Sequence, residues 1–323
     1  MLSLIPILGL LATPTISASI DIIPAKHATA TPLPLVIWHG LGDDFERDGL
    51  AEVALLAKTT NPGTHVHIIR LAEDGNGDRQ ATFFGNVTEQ LATVCDQLAA
   101  DPILRDSSAI NALGFSQGGQ FLRGYIERCN NPPVRNLVTF GSQHNGISEF
   151  ESCGLSDWFC NAAETVLRSG TWLSFVQSRI VPAQYFRDPE DMDAYLENSN
   201  FLADINNERA VKNEEYKARL ATLNAFVMYM FEEDTVVVPK ETAHFADVNA
   251  TDGTVTPLAE RAIYQEDWLG LRVLDEANKL FFRTTPGQHM RIEDETLKGM
   301  FKEFFGPVED VGEEKPRLVA QGF

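Results

Sequence analysis

The 323-residue chain predicts an α/β fold with a mostly parallel central sheet flanked by helices. Three observations predict it. Short apolar runs alternate with stretches of helical periodicity through the first half of the chain. Two of the runs stop at small or polar turns, His39-Gly40-Leu41-Gly42 and Gly141-Ser142-Gln143-His144. A hydrophobic fraction of 44% supplies a buried core and argues against disorder.

Residues 33–38 form a continuous apolar run, a buried strand that ends at His39. A second strand is predicted over 65–71 and a helix over 86–100, whose apolar face carries Val87, Leu91, Val94, Cys95 and Leu98. Residues 110–115 read as the next strand. From Gln117 to Cys129 the apolar residues Phe121, Leu122, Tyr125 and Ile126 recur at helical spacing. A further strand covers 134–140. The alternation then breaks: from about 145 to 219 the pattern is mainly helical and partly aromatic, with Trp158, Phe159, Trp172, Phe175 and Ile180. Strands return over 225–231 and 279–283. A last helix over 293–305 has Leu297, Met300, Phe301 and Phe304 on one face. No internal repeat and no low-complexity segment occurs.

The ends read differently from the body. The apolar run 2–11, followed by Ile16-Ser17-Ala18, predicts a secretory signal over residues 1–18. It is too short to span a bilayer, and no later segment is long enough, so no stable membrane insertion is expected. Residues 19–32, rich in Ala, Thr and Pro, are read as a flexible lead, 33–306 as one domain, and 307–323 as a flexible tail. Export agrees with four cysteines, for which local closure favours Cys153–Cys160 and leaves Cys95–Cys129. It agrees also with two sequons for N-glycosylation, at Asn86 and Asn249. A formal charge of −20 excludes a nucleic-acid partner, whose phosphates would be repelled. No cysteine or histidine spacing calls for a metal.

Ser116 stands between Gly114 and Gly118 in a G-x-S-x-G pattern, preceded by a predicted strand and followed by a predicted helix. That context is the nucleophile elbow of α/β hydrolases. A serine hydroxyl needs a base, and the base needs an orienting carboxylate; in this arrangement they follow in the order Ser, Asp or Glu, His. His289, between the last strand and the last helix, is the predicted base. Asp234, just after the strand 225–231, is the predicted acid, with Glu233 beside it as the alternative. The oxyanion donors are expected to be the backbone N–H groups of Gln117 and Leu41. Gln143 and His144, after a strand, and Trp172 and Phe175, in the helical segment, are the candidates for the pocket wall.

These residues resemble the palmitoyl-protein thioesterases, lysosomal α/β hydrolases that remove long-chain acyl groups from cysteine thiols. The resemblance runs from about 33 to 305 and rests most on residues 33–40 and 114–123, with further agreement over 201–206 and 268–271. It implies an α/β-hydrolase fold with a helical, acyl-binding insertion at about 145–222 over the active site. It implies Ser116, Asp234 and His289 as triad, Leu41 and Gln117 as oxyanion donors, and the disulfides Cys95–Cys129 and Cys153–Cys160. Animal members carry adjacent cysteines where this chain has Asp44-Phe45, so one local bridge of the family is missing.

The expected function is hydrolysis of palmitoyl and similar acyl groups from S-acylated proteins or peptides, without a cofactor, in the lysosome or vacuole or after secretion. An acyl-CoA thioesterase or oxygen-ester lipase would use the same triad. A non-catalytic acyl-binding module would ordinarily lack one of its members.

Overall fold

The computed structural model describes residues 31–149, 158–167 and 170–307. The expected signal 1–18, most of the expected lead, all but the first residue of the expected tail, and Cys153 with its expected bridge lie outside the described residues.

Six parallel strands form the central sheet, in the order β2-β1-β3-β4-β5-β8. They are β1 (Leu35–Trp38), β2 (Val66–Ile68), β3 (Ile110–Phe115), β4 (Val134–Phe140) and β5 (Ala225–Phe231), then β8 (Leu280–Thr285) after a small antiparallel ribbon of β6 (Asp247–Val248) and β7 (Val255–Thr256). Helices α1 (Asp48–Thr60), α2 (Gly75–Phe83), α3 (Val87–Ala100) and α4 (Pro102–Arg105) lie between β1 and β3 in the chain, and α5 (Gln117–Arg128) joins β3 to β4. Between β4 and β5 come α6 (Trp158–Leu167), α7 (Ser174–Gln177), α8 (Met192–Asn198), α9 (Leu202–Ile205) and α10 (Glu214–Leu220). Helices α11 (Ala262–Gln265) and α12 (Leu271–Glu276) precede β8, and α13 (Asp294–Phe304) follows it.

Because successive strand residues face opposite sides, the apolar runs feed two cores. Leu35, Ile37, Leu113, Val138 and Val227 pack with Leu50 and Ala57 of α1 and Leu297 and Phe301 of α13. Val36, Ala112, Leu137 and Phe226 face the other way, against α3, α5 and Tyr185, Phe201 and Leu202 of the segment between β4 and β5. A disulfide, Cys95–Cys129, ties α3 to the end of α5.

The segment between β4 and β5 is held to α5 by the buried guanidinium of Arg123, which donates to Glu127 Oε1 (2.8 Å), Ile205 O (2.8 Å) and Asn206 Oδ1 (2.7 Å). Five donors in a fixed fork let one side chain serve several acceptors at once.

The sequence reading extended β2 to Leu71. In the structure the N–H of Leu71 is taken by Asp78 Oδ1 at 2.6 Å, which ends the strand early. None of the described helices is long and apolar enough to cross a membrane.

Candidate active site

Ser116 occupies the turn between β3 and α5, with φ 52° and ψ −127°. A non-glycine residue there is strained, and the surroundings hold it: its N–H bonds Phe140 O at 2.8 Å. The flanking glycines make the turn possible by closeness. A Cβ on Gly118 would fall 2.3 Å from Trp38 O, and one on Gly114 would fall 2.2 Å from Gly119 Cα. The serine is 7% exposed and lines a cavity of about 1200 Å³ at the C-terminal edge of the sheet. Open parallel sheets gather ligands at that edge.

His289 lines the same cavity. Its Nδ1 lies 2.7 Å from Asp234 Oδ2. The carboxylate can only accept, so Nδ1 carries the proton and Nε2 is the nitrogen left free to take one. The side chain of Asp234 is 2% exposed, and its Oδ1 accepts from the N–H groups of Val236 (2.9 Å) and Val237 (3.0 Å). The carboxylate is therefore fixed by the backbone on one oxygen and by the imidazole on the other. The alternative, Glu233, is exposed; its other neighbour, Glu232, accepts from Thr284 Oγ1 at 3.2 Å.

The loop 39–43 bears Leu41, which also lines the cavity. Three contacts bolt it to α2: His39 Nε2 to Asp78 Oδ2 (2.8 Å), Gly42 N–H to Thr82 Oγ1 (2.9 Å) and Arg79 Nε to Gly42 O (2.8 Å). Burial pushes the His39 imidazole down, but the hydrogen bond and charge of Asp78 outweigh it, and its pKa is raised. Gln117 opens α5, so its N–H has no intrahelical acceptor and points out of a helix N-terminus. The Gln117 side chain accepts from Tyr185 OH at 3.1 Å.

Of the expected wall residues, Gln143 lines the cavity. Three others lie elsewhere. His144 is fully buried behind it, stacked on Phe245 with ring centroids 5.0 Å apart, accepting from Arg123 Nε and bonded to Thr139 Oγ1. Burial, with the charges of Arg123 and His244, holds its pKa well below the usual value. Trp172 packs on Phe186 and Tyr195, and Phe175 is 66% exposed. Helical aromatics signalled burial or a surface, not which surface. The sequence reading missed Phe83, Ile147 and Tyr185, and Leu50, Val53 and Leu56 of α1, all of which line the cavity. It also missed Asp78, whose partner His39 is 39 positions away with no local pattern to mark it. Asn86 caps α3 and accepts from Thr88 N–H, while Asn249 is exposed beside the β6–β7 ribbon.

The pattern of the palmitoyl protein thioesterase family matches residues 34–289. The chain is 36% identical over 296 residues to palmitoyl-protein thioesterase 1 of Caenorhabditis elegans, covering 90% of this chain and 98% of that one. It is 34% identical to palmitoyl-protein thioesterase 3 of Dictyostelium discoideum, over 84% of this chain and 89% of the relative. A lysosomal thioesterase PPT2 homolog of Drosophila melanogaster is 30% identical over 79% of this chain and 85% of its own length.

Proposed function

The chain belongs to the palmitoyl protein thioesterase family, and from that premise we propose that Ser116, His289 and Asp234 are a triad that removes long-chain acyl groups from cysteines of proteins. The observation that carries the reading is the 2.7 Å contact between His289 Nδ1 and a buried, backbone-held Asp234, in a cavity that Ser116 also lines.

The reaction divides into two displacements. Ser116 Oγ attacks the thioester carbonyl carbon while its proton passes to His289 Nε2. The negative oxygen so formed is met by the N–H groups of Leu41 and Gln117. When the C–S bond breaks, the sulfur takes the proton from His289 and leaves as a thiol. The acyl group remains as an ester on Ser116. Water then repeats the attack, giving its proton to His289, and the fatty acid and the free serine are released. Asp234 accepts from Nδ1–H throughout and stabilises the transient imidazolium.

The compartment is read as acidic and oxidising: the Cys95–Cys129 bridge fits an oxidising route, and one relative is named as a lysosomal thioesterase. The test is to incubate enzyme with matched palmitoyl thioester and oxyester peptides and to trap the acyl-enzyme for peptide mass analysis. The expected result is faster thioester cleavage with the acyl group on Ser116. An acyl adduct on any other residue would sink the triad.

A further inference from the structure

The apolar lining of the active-site cavity comes from separate clusters, and two of them flank it without sharing a residue. One cluster contains Phe83, Val176, Ile180 and Ala183, with Leu41 packed on it. The other includes Leu50 and Leu297, with Val53, Leu56, Met290 and Ile292 packed against it. Ser116 and His289 line the cavity together with residues of both. A thioester likewise has two halves, the acyl chain on carbon and the thiol-bearing group on sulfur.

We infer that the arm of the cavity between α1 and the segment 290–297 holds the polypeptide on either side of the acylated cysteine, the leaving-group half of the substrate. The inference rests on the triad reading above. Within that reading His289 must hand its proton to sulfur as the C–S bond breaks, so the sulfur sits on the imidazole's side of the carbonyl. Met290, Arg291 and Ile292 follow His289 directly and all three line the cavity, with Met290 and Ile292 packed on the same cluster as Leu50, Val53 and Leu56 of α1. The chain leaving on sulfur therefore runs into that arm, and the acyl chain is left the arm beside Leu41 and Phe83.

Length and charge select the occupant. The 13 residues of α1 span about 20 Å, enough to lie along about six residues of an extended polypeptide. The arm's rim carries both signs, Arg47 and Arg291 against Glu52 and Asp294. Arg47 is already paired with Asp44 at 3.0 Å and lies near Asp43 at 3.4 Å. Such a rim on a chain of charge −20 does not suit the phosphates of a coenzyme A leaving group. An apolar floor with a mixed rim suits polypeptides of varied sequence.

The test compares three palmitoyl thioesters that differ only in the thiol: a ten-residue cysteine peptide, N-acetylcysteamine and coenzyme A. Leu55→Asp is the primary variant, since Leu55 lines the arm's mouth and is 62% exposed, so the fold tolerates the change. Leu56→Asp, deeper on the same helix, is the second, and melting temperatures check both. Ala51→Asp, exposed on α1 and outside the cavity lining, is the charge control. In both arm variants kcat/KM for the peptide should fall at least tenfold more than for N-acetylcysteamine, through KM, while Ala51→Asp keeps the wild-type ratio. Equal losses on peptide and small thiol overturn the inference. So does a variant whose preference for long over short acyl chains collapses on the small thiol, because the arm would then hold the acyl half. A wild type that favours the coenzyme A thioester over the peptide overturns the choice of polypeptide. If the wild type cleaves all three and Ser116→Ala still does, the triad reading falls and takes this inference with it.

Discussion

His39 Nε2 and Asp78 Oδ2 lie 2.8 Å apart although the two side chains are 1% and 0% exposed. The pair couples the end of β1 to α2, and the loop between them carries Leu41, one of the two proposed oxyanion donors. Asp78 does more than pair with the imidazole: its Oδ2 also accepts from Phe45 N–H (2.9 Å) and its Oδ1 from Leu71 N–H (2.6 Å). One buried carboxylate thus gathers three partners from two separate loops, the one between β1 and α1 and the one after β2. Removing it leaves several buried donors unpaired at once, which is the costly way to break such a site.

Asp78→Ala is accordingly expected to destabilise the protein by about 3–5 kcal/mol, the usual range for removing one member of a buried pair. If the loop is set by this carboxylate, the folded fraction should also show a lower kcat with little change in KM. Denaturant melts and steady-state kinetics at low temperature check both. A variant that melts normally would show that the other bolts, Gly42 to Thr82 and Arg79 to Gly42, suffice alone.

Two buried histidines should respond to pH with opposite signs. The pKa of His39 is raised in the folded protein, with Asp78 and, more weakly, Asp43 favouring its charge against burial. Its stabilisation is therefore fully present below the unfolded value of about 6.5 and is lost as pH rises through the folded value. His144 is depressed by burial and by Arg123 and His244, so its contribution is present above about 6.5 and is lost as pH falls through the folded value. The melting-temperature gap between wild type and His39→Gln should be wider at pH 5 than at pH 8. For His144→Asn it should be wider at pH 8. Melts of the three proteins across that range decide it, and equal gaps at both ends would refute the assignment for that residue.

The triad makes its own contrast. Ser116→Ala should lower kcat at least about 10⁴-fold without unfolding the protein. Asp234→Asn should cost about 10⁴-fold as well, because an amide that donates to Nδ1 leaves the proton on the wrong nitrogen. Glu233→Gln, at an exposed position, should stay within about twofold of wild type. If the Glu233 change were the damaging one, the acid would have been assigned wrongly.

What could be read in the sequence follows from the range of the interactions. β3 to α5 was legible because a strand, a glycine-flanked turn and a helix are local patterns, and the Gly114 and Gly118 contacts impose those residue types directly. β5 was legible because a strand buried on both faces is uniformly apolar, and β4 by Leu137, Val138 and Phe140 at its C-terminal end, although Arg135, Asn136 and Thr139 interrupt its run. Asp234 could be picked only from a cluster of carboxylates; which of them meets His289 is a matter of a 55-residue separation that no spacing encodes. The cavity wall was the least legible part. Trp172 and Phe175 were chosen for size and helical setting, yet the side of a short helix that meets a cavity depends on how its neighbours dock. The wall formed by α1 was equally out of reach, since Val53 and Leu56 carry the same periodicity that any core helix shows.

The last prediction concerns the acyl half. With the polypeptide in the α1 arm, the chain on carbon should lie toward Phe83, Ile147 and Tyr185. Each fully buried methylene is worth up to about 0.8 kcal/mol, or about fourfold in kcat/KM, and a C16 chain could gain on the order of 10 kcal/mol as an upper bound. For one small thiol, kcat/KM should therefore rise from acetyl upward to a long-chain optimum. Ile147→Phe narrows the arm and should move that optimum to shorter chains, with an overpacking cost of about 1–3 kcal/mol that a melt would register. Phe175→Asp, at an exposed site outside the cavity, should leave the profile as it is. A flat profile from acetyl to palmitoyl in the folded wild type would remove the acyl arm. The triad would then act on thioesters chosen by their thiol alone.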